Sequence, residues 1–392
     1  MYSVKCHKNF TLPLIVPTFY ERYRTLFLSN GRKKVAYIKN EFDNSTFRYR
    51  CINFGQALEC GKRYDLTCFL CSEIPAILPH IAHLDIIVLQ RATWLPAIDT
   101  LVAAAKRHHI PVIYDMDDLF YKSEHAAAYI NHIRDLYTDA KVHQFFGYVN
   151  GYGYAMRGAD AFIVTTPLLQ EHMEKDTGKP VYTVSNFLNN DQITESALAV
   201  SERKYCSDKF LIGYFSGSPS HAADFASVEE ELLLLMDNYQ NISLLIVGFM
   251  ALSLRLQKYL AEGRVIVKEL VPYQTLQYEI ASVDVNIIPL IPDVFNEAKS
   301  ELKYFEAGIV KVPSCASPTA VYQSIIDNGV NGFLCRNGEW YTAIEKLYLN
   351  RSLQKSMGEA AYHKTVSAYM PTLYQDKIAD VYDTVIKNYT PS

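Results

Sequence analysis

From Lys34 onward, short apolar runs alternate with amphipathic stretches. Strand-like runs fall at 35–38, 66–71, 85–89, 111–114, 161–164 and 181–184, and helical periodicity occupies 47–60, 95–108, 126–157 and 167–174. Runs that are apolar throughout belong to strands buried on both faces, and their alternation with helices predicts a parallel sheet covered on each side. A polar, charge-rich segment, Asn186 to Ser207, interrupts the pattern and reads as a linker. The alternation then restarts, with strands at 210–215, 242–247, 264–268, 284–289 and 310–315. Helices are expected at 222–239, 251–261, 273–281, 297–307, 319–327 and 339–348, followed by a helical tail over 352–389.

The expected fold is α/β, two Rossmann-like doubly wound domains facing a central cleft. The N-terminal domain would span 1–200 and the C-terminal domain 208–370, with a last helix over 371–392 packing back on the first. Residues 1–33 are an atypical extension. An added strand and helix fits them, and so does an amphipathic element touching a membrane surface or a partner.

A length of 392 residues exceeds one typical core and agrees with two domains. The net charge is only −4 and no basic stripe is visible, which argues against a nucleic-acid partner. No run of eighteen apolar residues exists, so no spanning helix is expected. The apolar run Phe10–Val16 lacks a small-residue cleavage site, which argues against a signal peptide. The eight cysteines form no framework. Cys68 and Cys71 would fall on opposite faces of one strand, without a second pair to complete a zinc site, and read as core residues. A reducing, cytoplasmic location is expected.

Five clusters of chemistry-bearing residues fall at strand ends, where both sheets would open onto the cleft. Arg48 and Arg50 in FRYRC are placed either to meet an anionic group or to sit on the surface. Arg91, close to Trp94, suits a phosphate or a sugar face as well as packing. Asp115, Asp117 and Asp118 in YDMDD put three carboxylates within four residues, suited to hydroxyl recognition, general-base work or a divalent cation. Ser216, Gly217 and Ser218 form a small-residue turn open to a phosphate, with His221 and Asp224 opening the next helix. The last cluster is NEAKSELKYFEAG, with Tyr273 upstream in a loop where it would stack on a base or simply pack. On a continuous helix capped by Asn296, residues Lys299, Lys303 and Glu306 share one polar stripe. Two lysines on one face make sense around an anion at a helix N-terminus, though a solvated face fits too.

Taken in order, SGSPSH, IVG at 246–248, DVNIIPL, KSELKYFEAG, VPSCAS and IIDNGVNGFL make residues 208–350 resemble a GT-B glycosyltransferase, family four in particular. The first half is similar more loosely, through RYR, YDMDD, GADAFIVTT and PVYTVSNFLN. The resemblance implies sugar transfer with retention from a nucleotide sugar (UDP-, GDP- or dTDP-linked) to a glycan, lipid-linked or protein-linked acceptor, in surface polysaccharide or glycoprotein synthesis. The donor is a co-substrate; no other cofactor and no metal is implied. Glu306 maps onto the family's second Glu, while Lys299, Ser300, Lys303 and the Ser216–Ser218 turn would hold the diphosphate with His221 and Tyr273 beside it. Arg48, Arg50 and Arg91 would meet the acceptor, and the carboxylates at 115–118 would act in catalysis with Lys303 and Glu306.

The family's first Glu, with seven residues between it and the second, is here Ala298, and Glu297 lies one residue off. The Arg and Lys that many members carry after the domain's first strand are replaced by SGSPSH. An inactive GT-B module serving as a scaffold for another transferase is therefore the alternative. A homodimer and a peripheral contact with the inner face of a membrane stay open.

Overall fold

The structure, a computed structural model, describes residues 16–28, 31–42, 46–133, 138–203, 208–218 and 221–390. Most of the apolar run from Phe10 lies outside the described residues, as does the middle of the helix expected over 126–157. The first six strands are β1 Lys33–Lys39, β2 Tyr64–Leu70, β3 Ile86–Gln90, β4 Val112–Met116, β5 Ala161–Val164 and β6 Val181–Thr183. The second six are β7 Phe210–Ser216, β8 Ile242–Gly248, β9 Val265–Lys268, β10 Val285–Ile288, β11 Ser314–Ala316 and β12 Phe333–Leu334. They form two six-stranded sheets, ordered β2-β1-β3-β4-β5-β6 and β12-β11-β10-β7-β8-β9, with parallel pairing throughout.

Each order reverses once, between β1 and β3 and between β7 and β10. Ligands of open α/β sheets bind outside the strand ends at such a reversal. The chain segments leaving β7 and β10 are the SGS turn and the stretch leading to Lys299, so the topology brings together two clusters far apart in sequence. The strands have few polar positions because helices cover both faces; β3 and β4 are buried at every residue. Cys68 and Cys71 lie in separate apolar clusters on opposite faces of the first sheet, as core residues.

The strand expected at 310–315 starts only at Ser314, after a turn at 309–311. Four other expected elements differ. The segment after Asn186 is not an irregular linker: Asn190–Glu202 is a helix, capped by the Asn189 side chain accepting from Gln192 N at 2.7 Å. Its buried residues, Gln192, Ser196 and Ala199, are polar or small, so no apolar stripe marks it in the sequence. The helix expected from Arg48 opens as a π-helix over Arg48–Ile52 before the α-helix Asn53–Gly61, a feature often found at functional sites. The pattern over 126–157 divides into Ser123–Ile133 and Asp139–Ala155.

The fourth difference concerns the Lys-rich segment. The single helix expected over 297–307 is broken into Val294–Glu297, capped by Asp293, and Leu302–Gly308. Ala298 closes the first turn, with its carbonyl accepting from Thr166 Oγ1 at 3.0 Å, and Lys299 and Ser300 sit between the two helices. The C-terminal helix Gln375–Asn388 lies against Asn53–Gly61 and β1. Tyr382 and Tyr37 share a hydroxyl hydrogen bond of 2.7 Å, and Asp383 accepts from Lys33 and Tyr64 at 2.6 Å each.

Candidate functional site

The turn after β7 is built by backbone proximity. Ser216 Oγ donates to Ser218 O at 3.0 Å, and Phe249 N donates to Ser216 O at 3.1 Å. Gly248, at φ +102°, ends β8 so close that a Cβ there would lie 2.0 Å from Ser216 O. Only glycine allows this approach. At Gly217 a Cβ would meet nothing within 4 Å, so the outer side of the turn is open.

Behind the turn Asp224 is fully buried and organises its neighbours. Its Oδ2 lies 2.9 Å from His221 Nδ1, while Oδ1 accepts from Ile291 N and Asn296 Nδ2 at 2.9 Å each. Burial alone would raise its pKa, but the His221 hydrogen bond and the nearby Lys299 hold it down at about 2. Burial, reinforced by Lys299 and Lys303, pushes the His221 pKa well below the ordinary range, so its imidazole stays neutral.

The two lysines complete the cluster. Lys299, its pKa lowered by burial, lies within the field of Asp224, Asp118 and Asp293. Lys303 Nζ sits 5.4 Å from the centre of the Tyr214 ring, is buried, and donates no hydrogen bond among the described residues. Burial and then Lys299 lower its pKa to about 8. An unsatisfied buried ammonium is costly, and an anion beside it would remove that cost.

Glu306 faces the other half of the chain. Its Oε1 accepts from Arg48 Nη2 and Gln192 Nε2 at 3.3 Å each and from the Tyr49 hydroxyl. The Arg48 guanidinium lies between the Tyr49 and Tyr273 rings, 4.2 and 4.5 Å from their centres, with Nε and Nη1 unpartnered. Tyr273 OH donates to Asp191 at 3.1 Å. The family-type first carboxylate has no direct counterpart, since Ala298 is buried and Glu297 accepts from Ala320 N at 2.8 Å, at the start of the helix Ala320–Ile325. Ser300 Oγ accepts from Asn186 Nδ2 at 2.9 Å.

On the first sheet the expected residues separate. Arg50 and Asp115 are wholly buried and paired to each other at 2.9 Å, with Arg50 Nη1 also donating to Val184 O at 2.7 Å. An acceptor contact for Arg50 and a catalytic role for Asp115 do not follow from this geometry. Asp117 and Asp118 lie nearer the cleft and accept from Arg91 Nη1 at 3.3 and 3.4 Å. Burial and then Asp117 raise the Asp118 pKa, while Arg91 and Lys299 oppose the shift. Lys299 thus feels carboxylates of both halves. Trp94 is not in this group: its Nε1 donates to Asp99 and its ring packs edge-on against Tyr154. Among the described residues no group of three or more His, Cys, Asp or Glu is arranged to hold a metal ion.

Two facing parallel sheets with charged clusters at the strand ends are an architecture found in solved structures. HepE of Anabaena, solved with UDP and glucose, is similar over 89% of this chain and 99% of its own, at 14% identity and a TM-score of 0.57. Sucrose-phosphate synthase of Thermosynechococcus elongatus is similar over 91% and 100%, at 12% identity and 0.60. A glycosyltransferase of Rickettsia africae is similar over 92% and 100%, at 13% identity and 0.63. The fold is GT-B. No protein-family model matches the sequence, and no curated protein does.

Within this GT-B frame, Tyr49 and Gln192, which bond Glu306, and Phe295, beside Lys299, adjoin the candidate site, and the sequence pattern did not single them out. Phe295 packs against Phe120 and Tyr129 of the first half, with ring centres 4.7 and 5.3 Å apart. For Gln192 a signal existed: Asn189 followed three residues later by Gln is a helix-start pattern. For Tyr49 and Phe295 there was none, because an aromatic at a strand end reads as core. Among the described residues no helix is long and apolar enough to cross a membrane.

Proposed function

We propose that the protein transfers a sugar from a nucleotide-diphosphate donor to a glycan acceptor, with retention, as part of polysaccharide or glycoconjugate synthesis. The observation that carries this reading is Lys303: a buried ammonium with no hydrogen-bond acceptor among the described residues, at a sheet reversal, beside an open small-residue turn. A diphosphate between Lys303, Lys299 and the turn satisfies these donors and neutralises charge as it develops on the leaving oxygen. In this reading Glu306, which accepts from Arg48 and Tyr49, meets the donor's ribose, and Asp117 and Asp118 meet the acceptor hydroxyl. The fold and the UDP found in HepE support the reading.

Its test is thermal denaturation with UDP, GDP and dTDP. At a hundred times its Kd a nucleotide stabilises by about 2.7 kcal/mol, a shift of several degrees; no stabilisation by any of the three overturns the proposal.

One feature favours a second reading, a scaffold without transfer activity. Ala298 replaces a carboxylate, and Glu306 Oε1 is already occupied by three donors, Arg48 and Tyr49 of the first half and Gln192. Under that reading nucleotides leave the melting curve unchanged, and no nucleotide sugar is hydrolysed.

A further inference from the structure

A depression of about 720 Å³ lies between the loop after β3 and the helix Asp139–Ala155, and shares no residue with the Lys303 cluster. Trp94, Tyr148 and Tyr154 form its aromatic walls, with Thr93, Gln144 and Asn150 around them. The three aromatics are 39%, 48% and 47% exposed, high values for such large side chains. They are nevertheless fixed. The Trp94 ring meets Tyr154 edge-on at 5.3 Å, its Nε1 donates to Asp99 at 2.9 Å, and its backbone N donates to Gly151 O at 3.0 Å.

The helix wall contains a glycine that packing does not explain. Gly153 is required, because a Cβ would stand 2.5 Å from Tyr121 O. At Gly147, which lines the depression, a Cβ would meet nothing within 4 Å. Glycine inside a helix is destabilising relative to alanine. The protein accepts that cost where the only gain is open space beside an aromatic surface.

Among the described residues none that lines the depression is charged, while the Arg157 guanidinium lies 4.8 Å from the Tyr154 ring centre. A phosphate or an acidic headgroup would call for Lys or Arg, and a purely apolar ligand would not call for amides. A neutral pyranose needs both features present: aromatic faces for its C–H face and amide or hydroxyl groups for its rim. Asn150 accepts from Ser123 Oγ at 3.1 Å, leaving its amide N–H groups to donate. The depression also adjoins the cleft. Arg91, which binds Asp117 and Asp118, lies 5.7 Å from the ring centre of Tyr152 on the same helix.

We propose that the Trp94–Tyr148–Tyr154 depression binds a neutral stretch of an oligosaccharide acceptor, with a sugar ring stacked on the aromatic wall. The acceptor is then an extended glycan rather than a monosaccharide. This rests on the transferase reading for its role, not for the binding itself.

The test uses the protein's two tryptophans. Trp340 is buried, so in a Trp340→Phe variant the emission reports Trp94 alone. Maltohexaose, cellohexaose, chitohexaose and mannohexaose are titrated, with glucose as control. At least one hexasaccharide shifts the emission saturably, at an affinity at least tenfold above glucose. Adding Gly147→Leu fills the depression while improving helix propensity; affinity falls at least tenfold with the melting temperature maintained.

No response to any hexasaccharide overturns the proposal, as does a response that survives Gly147→Leu. So does a Trp94 shift driven instead by phosphatidylglycerol vesicles or by protein concentration. Stabilisation by a nucleotide without a hexasaccharide response sinks this inference alone. A hexasaccharide response without nucleotide binding sinks the transferase reading alone.

Discussion

The strand ends of the two sheets treat charge in opposite ways. On the first sheet it is satisfied internally: Arg50 with Asp115, Arg91 with Asp117 and Asp118, Lys39 with Gln90 at 2.6 Å and Thr46 at 2.7 Å. On the second, Lys303 makes no hydrogen bond among the described residues, and the open Gly217 turn stands beside it. Paired charges at the centre of a sheet fix a framework, whereas an unpaired one stores a preference for a ligand. Apart from Arg48, the first sheet thus uses its ionic groups for rigidity, and under the transferase reading the second keeps one for the diphosphate.

Breaking the first arrangement has the largest expected effect. Arg50→Met leaves Asp115 buried without its cation and lowers stability by about 3–5 kcal/mol, measured by urea denaturation. Adding Asp115→Leu restores most of the loss, because a buried pair exchanged for apolar residues is often neutral. A small loss in the single variant would mean that the Asp115 carboxylate finds other donors.

The second arrangement is tested by Lys303→Ala. Under the transferase reading, turnover of the nucleotide sugar falls about 100- to 1,000-fold, the effect of removing one donor to a developing oxyanion, while the melting temperature holds or rises. Near-normal turnover would remove Lys303 from the site.

A smaller effect sharpens the same point through pH. The Lys303 pKa is about 8 in the folded chain against an ordinary 10.5. The folded state therefore disfavours the charged form, and unliganded stability rises as pH goes from about 8 to 10.5, where only the unfolded chain holds the proton. Nucleotide binding has the opposite slope. It requires the ammonium, so affinity falls by up to about tenfold per pH unit above 8, with proton uptake seen by calorimetry in two buffers. Lys303→Met flattens both profiles. The smallest change is Asn186→Ala, which removes its hydrogen bonds to Ser300 and from Arg50 Nη1 and costs about 1–3 kcal/mol by thermal denaturation.

Much of this was legible in the chain. Uniformly apolar strands such as IIVLQ and ISLLIVG report burial on both faces, so two parallel sheets follow from periodicity. The SGS turn and the Lys299/Lys303 pair were legible because their residue types suit anions. Partners were not. Glu306 meets Arg48 and Tyr49 more than 250 residues away, and no local pattern encodes such pairs. The break at Ala298 was hidden because Glu, Ala, Lys, Leu and Phe all favour helix; tertiary bonds from Thr166 and Asn186 fix the break instead. Arg50 and Asp115 looked like site residues because charge at a strand end is rare, and their mutual burial is a matter of packing.

The helix Asn190–Glu202 carries a consequence for recombining such proteins. Its beginning is tied to the first half, through Asn189 to Asn53 at 3.1 Å and Asn190 N to Gln56 at 2.9 Å. Its body belongs to the second half, through Asp191 to Tyr273, Gln192 to Glu306 and Glu195 to Tyr278. A chimera joined after residue 203, where the charge-rich segment looks most dispensable, would pair a foreign helix with Glu306. A junction before Asn189 lets that helix travel with the sheet it serves.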